Sequence, residues 1–364
     1  MKDCTAHNHI RHQHFMHFLK ALRDRSGSKE DGAVLDFLSA GAQAGVRECR
    51  RQFMWNRWHC PLLAFTEMLD GIPLTREQAF AHAITSASIV YSITKNCTSG
   101  LLKECSCGQL NGKVEDDFKW QGCSDDVEFP SFVAREFFES KIDGQVPHAD
   151  VILHNHQAGR IAVRESLERI CKCHGSSGSC TTKTCWMQLK GLSTIGRRLK
   201  KAYRRAIHLG EINTGFSFMN AATAFSRESK RTRNRNPKRR RNDSLSVLPL
   251  EELTATLPGI SPHQLVFLDH SPDYCVYNFT AVSEGTGGRV CSENEAGAVL
   301  TKKQKRACRV LCKDCGYAVM QNNITVEESC NCQFVWCCQV LCEKCKKTMS
   351  TYLCHQQVPV PHRR

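Results

Sequence analysis

Residues 171–185 read Cys-Lys-Cys-His-Gly-Ser-Ser-Gly-Ser-Cys-Thr-Thr-Lys-Thr-Cys. Four cysteines stand in these fifteen residues, and nothing between Cys173 and Cys180 is apolar. Burial cannot hold such a segment together, so its order has to be covalent. Nested pairing, Cys171 with Cys185 and Cys173 with Cys180, would staple it into a rigid hairpin. A bridge closing a loop of about fifteen residues restricts the unfolded chain by roughly 3 kcal/mol. The tip would then hold Ser176, Ser177 and Ser179 outward, with Ser179 fixed against Cys180. A hydroxyl presented in this way is either merely solvated or offered to a modifying enzyme.

The rest of the chain points to an oxidising, extracytoplasmic compartment. It carries 23 cysteines in 364 residues, clustered rather than scattered, which is the usage of disulfide-bonded proteins. Candidate glycosylation positions agree: Asn96, Asn278 and Asn323 each begin an Asn-X-Thr sequon, and Asn242 begins another in a basic run. A hydrophobic content of 41% allows a core. No apolar run is long enough to span a bilayer. Met1 to Leu22 is rich in His and Arg and has no apolar segment of signal-peptide type. The chain is therefore expected to begin downstream of its true signal peptide, or at a misassigned start. His7, His9, His12, His14 and His17 read as terminus or helix surface rather than a metal site. The net charge of +14 is partly local, because residues 229–242 carry eight Lys and Arg and no acid. On a secreted protein such a run suggests a sulfated glycosaminoglycan, heparan sulfate, as a partner.

Apolar spacing predicts helices in the first part of the chain. Val34, Leu38, Ala42, Gly45, Cys49 and Phe53 share one face over 33–53, and Phe80, Ile84, Ala87 and Tyr91 do so over 75–94. Thr75 with Gln78 offers a capping box. A third helix is expected from Leu153 to Ile170, where the hairpin starts, and a fourth over Leu192, Ile195, Leu199, Tyr203 and Ile207. Beyond Ser271 twelve cysteines follow among short Val, Ile, Thr and Phe runs, which favours short strands and loops over helices. Apolar mass is scarce there, so bridges must supply the stability. The predicted fold class is α+β and disulfide-rich. Residues 1–30 are unassigned. A helical N-terminal domain spans 31–225 with the hairpin 171–185, and a basic linker spans 226–263. A small cysteine-knot-like β domain spans 264–364, with a hairpin at 330–345.

Cys312-Lys-Asp-Cys315 and Cys342-Glu-Lys-Cys345 also fit zinc ligation. Their separation is long for a zinc ribbon, and the adjacent Cys337 and Cys338 suit tetrahedral ligation poorly. The alternative function is thus an intracellular zinc- or nucleic-acid-binding protein using these pairs and the basic run. A hydrolase built on Ser179 and His174 would lack an acid to orient the histidine. No catalytic residue, cofactor, metal or nucleic-acid partner is expected on the favoured reading.

Residues 171–186 resemble the signature of the Wnt family of secreted signalling proteins. So do Gly41-Ala-Gln-Ala-Gly-Val-Arg-Glu-Cys49 and Trp120-Gln-Gly-Cys-Ser-Asp125. At Trp58-His59-Cys60 the family usually has tryptophan-asparagine-cysteine. The likeness covers about residues 33–225 and 263–354, and Ser271-Pro-Asp-Tyr-Cys275 with Thr181-Thr-Lys-Thr-Cys-Trp186 suggests the eighth Wnt subfamily. The resemblance implies a palmitoleoyl chain on Ser179. It implies bridges Cys49–Cys60, Cys97–Cys105, Cys107–Cys123, Cys171–Cys185 and Cys173–Cys180 in the first part. In the second it implies Cys275–Cys315, Cys291–Cys308, Cys312–Cys354, Cys330–Cys345, Cys332–Cys342 and a vicinal Cys337–Cys338 ring, which leaves Cys4 over. Two fingers would grip the cysteine-rich domain of a Frizzled receptor. One offers His174, Gly175 and acylated Ser179; the other offers Phe334, Val335, Trp336, Cys337, Cys338 and Val340. Burying an acyl chain at about 0.8 kcal/mol per methylene yields on the order of 10 kcal/mol before ordering costs. A low-density-lipoprotein-receptor-related co-receptor is implied as a second receptor, with the Porcupine acyltransferase and the Wntless carrier acting during export to the extracellular space and matrix.

Overall fold

The structure, a computed structural model, describes residues 32–66, 73–102, 105–108, 119–120, 122–142, 146, 148–175, 179–181, 183–212, 257, 259–278 and 283–356. The His-rich N-terminus with Cys4, the basic run 229–242 and the serines Ser176 and Ser177 lie outside them. The chain divides into two units. One runs up to Gln52 and resumes over Leu62–Ser271; the other joins Phe53–Pro61 to Pro272 and beyond.

In the first unit, helix α1 (Gly32–Phe53) precedes the long α2 (Arg76–Thr98). Thr75 caps α2 by accepting the Gln78 N–H at 3.3 Å. Every residue of α2 from Glu77 to Val90 is buried, so this helix is the axis of the unit. Its buried hydroxyls need partners: Thr85 and Thr94 donate to the Ala81 and Val90 carbonyls one turn back, at 2.8 Å. After a short β1 (Lys119–Trp120) come α3 (Glu128–Lys141) and α4 (Ala149–Arg164). The α4 helix lies against α2 so closely that a Cβ on Gly159 would stand 2.9 Å from the Ala83 carbonyl carbon, and nearer still to its oxygen. Where the two helices meet, the buried His82 Nδ1 and His156 Nε2 are 3.3 Å apart, a hydrogen bond in which one ring donates to the other. The His156 ring stacks on Phe138 of α3, with centroids 3.6 Å apart.

The α4 helix stops at Arg164 rather than continuing to Ile170. The next residues form β2 (Leu167–Cys173), antiparallel to β3 (Lys183–Leu189), and β3 also pairs in parallel with β1. The Ser166 carbonyl, freed at the helix end, accepts the Lys190 N–H at 3.0 Å. Helix α5 (Leu192–Tyr203) likewise ends before Ile207, which begins β4 (Ile207–His208). That strand pairs in parallel with β5 (Val266–Phe267). Asn155 of α4 fixes β5 from the side. Its amide donates to the Val266 carbonyl at 2.9 Å and its carbonyl accepts the Val266 N–H at 3.0 Å. Residues 264–271, assigned from sequence to the second domain, thus belong with the first unit.

The second unit has a core made largely of sulfur. Cys291, Cys308, Leu311, Cys312 and Cys354 are buried together, with Trp55, Tyr317, Val319 and Tyr352 packed on them. Bridges Cys291–Cys308 and Cys312–Cys354 run through this cluster. Around it lie β6 (Tyr277–Asn278), β7 (Ser283–Glu284), β8 (Val290–Glu295) and α6 (Lys302–Leu311). The sequence reading expects no helix there. Yet α6 carries a complete capping box, with Thr301 and Gln304 each satisfying the other's backbone N–H. Phe53–Pro61 is held to this unit by Arg289, whose Nη1 donates to the Arg57 carbonyl at 2.5 Å, and by Arg57 Nε, which donates to the Val310 carbonyl at 3.2 Å. The last two strands are long, not short: β9 (Ala318–Val335) and β10 (Gln339–His355) pair antiparallel along their length. The third strand, β8, reaches only Met349–Leu353 of β10. Past that point the ribbon is two-stranded, with nearly every residue exposed.

The histidine pair predicts an acid-sensitive fold. Burial holds His82 down to about 3, and lowers His156 well below its ordinary value, with His82 and Arg160 adding to the effect. An unfolded chain takes up these protons near pH 6.5, so the unfolded state binds more protons below that value. The stability contributed by the neutral pair is complete above about pH 6.5 and is lost as pH falls from there toward 3. Thermal midpoints measured across this range should fall with acidification. The double variant His82→Leu/His156→Phe should flatten the profile.

Candidate functional site

Two hairpins extend from the units, and both are closed by disulfides. In the first, Cys171 and Cys185 are directly opposed in register and bridged, and Cys173–Cys180 closes the loop beyond them. The base is fixed by Asp125, whose buried carboxylate gathers three donors. Lys95 Nζ approaches Oδ2 at 2.6 Å, the Leu189 N–H donates to the same oxygen at 2.6 Å, and Thr98 donates to Oδ1 at 2.6 Å. The Asp125 N–H in turn donates to the Met187 carbonyl at 2.9 Å, and Ser124 Oγ accepts the Met187 N–H at 3.1 Å. Strand β3 is therefore tied to the end of α2 through one ion and one hydroxyl. Sequence reading quotes Ser124 and Asp125 only as part of a motif; the pairing of an acid with a strand edge two elements away leaves no local pattern.

At the tip, Ser179 and Cys180 are exposed, as is His174. Gly175 lies directly beneath Ser179. A Cβ there would stand 2.8 Å from the Ser179 carbonyl carbon and closer still to its Oγ. Any larger residue at 175 must displace the serine. Among the described residues His174 has no hydrogen-bond partner.

The second tip is the end of the β9–β10 ribbon. Cys330–Cys345 and Cys332–Cys342 cross-link it. A register shift between Leu341 and Glu343 and a left-handed Asn331 (φ 47°) mark a bulge between the bridges. Trp336, Cys337 and Cys338 form the turn between Val335 and Gln339. Trp336 is 91% exposed, Phe334 67%, Val340 63% and Val335 42%. Leu341, which sequence reading passes over, belongs to the same patch at 60%. The vicinal ring expected between Cys337 and Cys338 is absent: both thiols are free and exposed. Both residues take left-handed angles, φ 82° and 78°, as the two central positions of a tight hairpin reversal do.

Elsewhere, bridges join Cys97 to Cys105, Cys107 to Cys123 and Cys275 to Cys315, and both Cys49 and Cys60 are disulfide-bonded. This removes the zinc alternative at its proposed ligands, because Cys312, Cys315, Cys342 and Cys345 are all bridged to other cysteines. Among the described residues no three His, Cys, Asp or Glu side chains are grouped to hold a metal ion. Asn278 and Asn323 are exposed on strands, whereas the part-buried Asn96 donates its amide to the Ser92 carbonyl at 2.8 Å. No helix among the described residues is long and apolar enough to cross a membrane.

A helical unit with one bridged hairpin and a sulfur-cored unit with another define a disulfide-rich protein that displays two cross-linked hairpins. Comparison with known proteins agrees. The wnt family profile matches residues 19–355. Protein Wnt-8b of Danio rerio is 39% identical over 324 residues, covering 87% of this chain and 81% of that one. Protein Wnt-8 of Xenopus laevis is 36% identical, covering 87% and 82%. The solved structure of human WLS in complex with WNT8A contains a chain 35% identical to this one, with a TM-score of 0.61 over 90% of this chain and 96% of that one. The chain belongs to the Wnt family, whose members are signalling ligands, and resembles the Wnt-8 proteins among them.

Base and tip should respond oppositely to truncation. Asp125→Ala leaves the buried Leu189 N–H without its acceptor and the part-exposed Lys95 without its ion partner, and should destabilise by about 2 kcal/mol. Trp336→Ala removes a side chain that touches little and should change stability by less than about 0.5 kcal/mol. Chemical denaturation of the two variants measures both.

Proposed function

We propose that this chain is a secreted ligand, acylated on Ser179, that grips the cysteine-rich domain of a Frizzled receptor between its two hairpin tips. The observation that carries this reading is the exposure of Trp336 within an apolar patch on a doubly cross-linked turn. A rigid, solvent-facing aromatic of this kind does nothing for the folding of its own unit. It has the character of an interface anchor. The first tip supports the reading by holding Ser179 outward over Gly175, where an enzyme can reach the hydroxyl. His174 and Gly175 would flank the acyl chain, and Phe334, Val335, Cys337, Cys338 and Val340 would surround Trp336 in the second contact. The chain itself supplies no cofactor chemistry; the palmitoleate is a covalent modification.

On this reading Porcupine attaches the acyl group and Wntless carries the product, the latter supported by similarity to a chain solved in complex with human WLS. A low-density-lipoprotein-receptor-related co-receptor completes signalling at the cell surface. Asn278 and Asn323 are the accessible glycosylation positions, Asn96 being the third. The basic run 229–242 retains the protein on heparan sulfate in the extracellular matrix.

Mass spectrometry of the Cys173–Cys185 peptide from secretory cells should show an acyl adduct removed by neutral hydroxylamine. Ser179→Ala should fold, lack the adduct, leave the cell poorly and fail to signal. Gly175→Ala should reduce acylation although its serine is intact. Trp336→Ala should keep the adduct while weakening binding to the receptor domain by roughly thirtyfold, the loss of one hot spot of about 2 kcal/mol. Unmodified serine in fully active protein would sink the acyl contact, and wild-type binding by Trp336→Ala would sink the second.

A further inference from the structure

The first unit contains a cavity of about 400 Å³ built from no hairpin residue, lined by Arg76, Ala206, His208, Phe267, His270 and Ser271. Its floor is Phe267. The Arg76 guanidinium lies 4.9 Å from the centre of that ring, and the His208 ring stacks on it with centroids 5.0 Å apart. His270 sits 4.5 Å from His208, ring to ring. One guanidinium and two imidazoles therefore converge on one space, and no carboxylate lines it.

The nearest acids are already engaged. Glu77 accepts the Tyr203 hydroxyl at 2.7 Å and the Ser271 hydroxyl at 2.6 Å, and Asp269 accepts the Leu74 N–H at 2.7 Å. Arg76 Nε is shielded from solvent and has no hydrogen-bond partner among the described residues. Arg76 is also the first residue of the 23-residue α2, so the positive end of a long helix dipole adds to the same field. His208 Nε2 donates to the Leu268 carbonyl at 2.7 Å, which leaves the Arg76 guanidinium and the exposed His270 ring beside a helix N-terminus as the groups complementary to a tetrahedral oxyanion. The size of the space leaves room for a small ring carrying that group.

We propose that this cavity binds a sulfate or phosphate group, as the free ion or as a monoester on a small sugar. The site uses no residue of the two hairpin tips. Equilibrium dialysis of the full chain against radiolabelled sulfate, with ionic strength held constant by chloride, tests it. Saturable binding is expected. Arg76→Gln should weaken it roughly tenfold or more, the loss of a charged hydrogen-bond donor, and Arg76→Lys should retain part of it. His270 is exposed, so His270→Gln should leave the circular-dichroism spectrum unchanged while still weakening binding. The basic run is present in every variant, and its contribution cancels. Competition separates the sources: a singly sulfated glucosamine that displaces the label better than inorganic sulfate or phosphate assigns the ester, and equal displacement assigns the free ion. Absence of saturable binding would overturn the proposal. So would equal affinity in wild type, Arg76→Gln and His270→Gln.

Discussion

A two-stranded antiparallel ribbon with water on both faces has no core to hold it, and alone in water it is marginal. Beyond the reach of β8, the β9–β10 ribbon is such an object, and the loop between β2 and β3 is a shorter one. What lets both keep a shape is the cross-linking of their strands near the tip, at Cys330–Cys345 and Cys332–Cys342 in one and Cys171–Cys185 and Cys173–Cys180 in the other. Each bridge limits the unfolded chain rather than adding contacts to the folded one. The side chains at the tips are thereby released from packing. Trp336 and Phe334 can face solvent because nothing structural depends on burying them.

The two units reach order by different means. The first buries α2 on every side, to the point that a glycine is needed where α4 crosses it and two histidines are sealed in uncharged. In the second unit four of the five residues at the centre are half-cystines, so its core and its cross-links are the same atoms. Reducing agents would act unequally on the two. The helical unit would lose its hairpin and keep its helices, whereas the second unit would lose the cluster that Trp55 and Tyr352 pack against.

Much of this was legible in the sequence, and the misses have physical causes. The axis helix announces itself through Phe80, Ile84, Ala87 and the Thr75 cap, and the first hairpin through a cysteine cluster paired as the family resemblance implies. Helix α6 was hidden because its turns are mostly Lys, Arg and Gln, leaving Ala307, Cys308 and Leu311 as the buried face. Its capping box, Thr301 with Gln304, was the available signal. The overlong helix across Leu167–Ile170 arose because Leu167 and Ile170 also fit a helical period; the strand is decided by pairing with β3, which is not local. The same holds for β5, whose two residues are placed by Asn155, 111 positions away. Leu341 was passed over because exposure at a bulged turn depends on register, and the shift between Leu341 and Glu343 sets it.

Asp125 shows why base and tip carry different kinds of information. Its carboxylate is useful only because Lys95 and Thr98, at the end of α2, and Leu189 of β3 converge on it. A change there propagates into the fold, since a buried ion left without its partner is costly. At Ser179 the dependence runs the other way: the residue rests on Gly175 and on a bridge, and little of the fold rests on it. Such a position can accept a bulky covalent group without disturbing the unit below, because the glycine beneath has already ceded the space. Rigidity at the base and vacancy at the tip are therefore one arrangement, and the second would have no direction without the first.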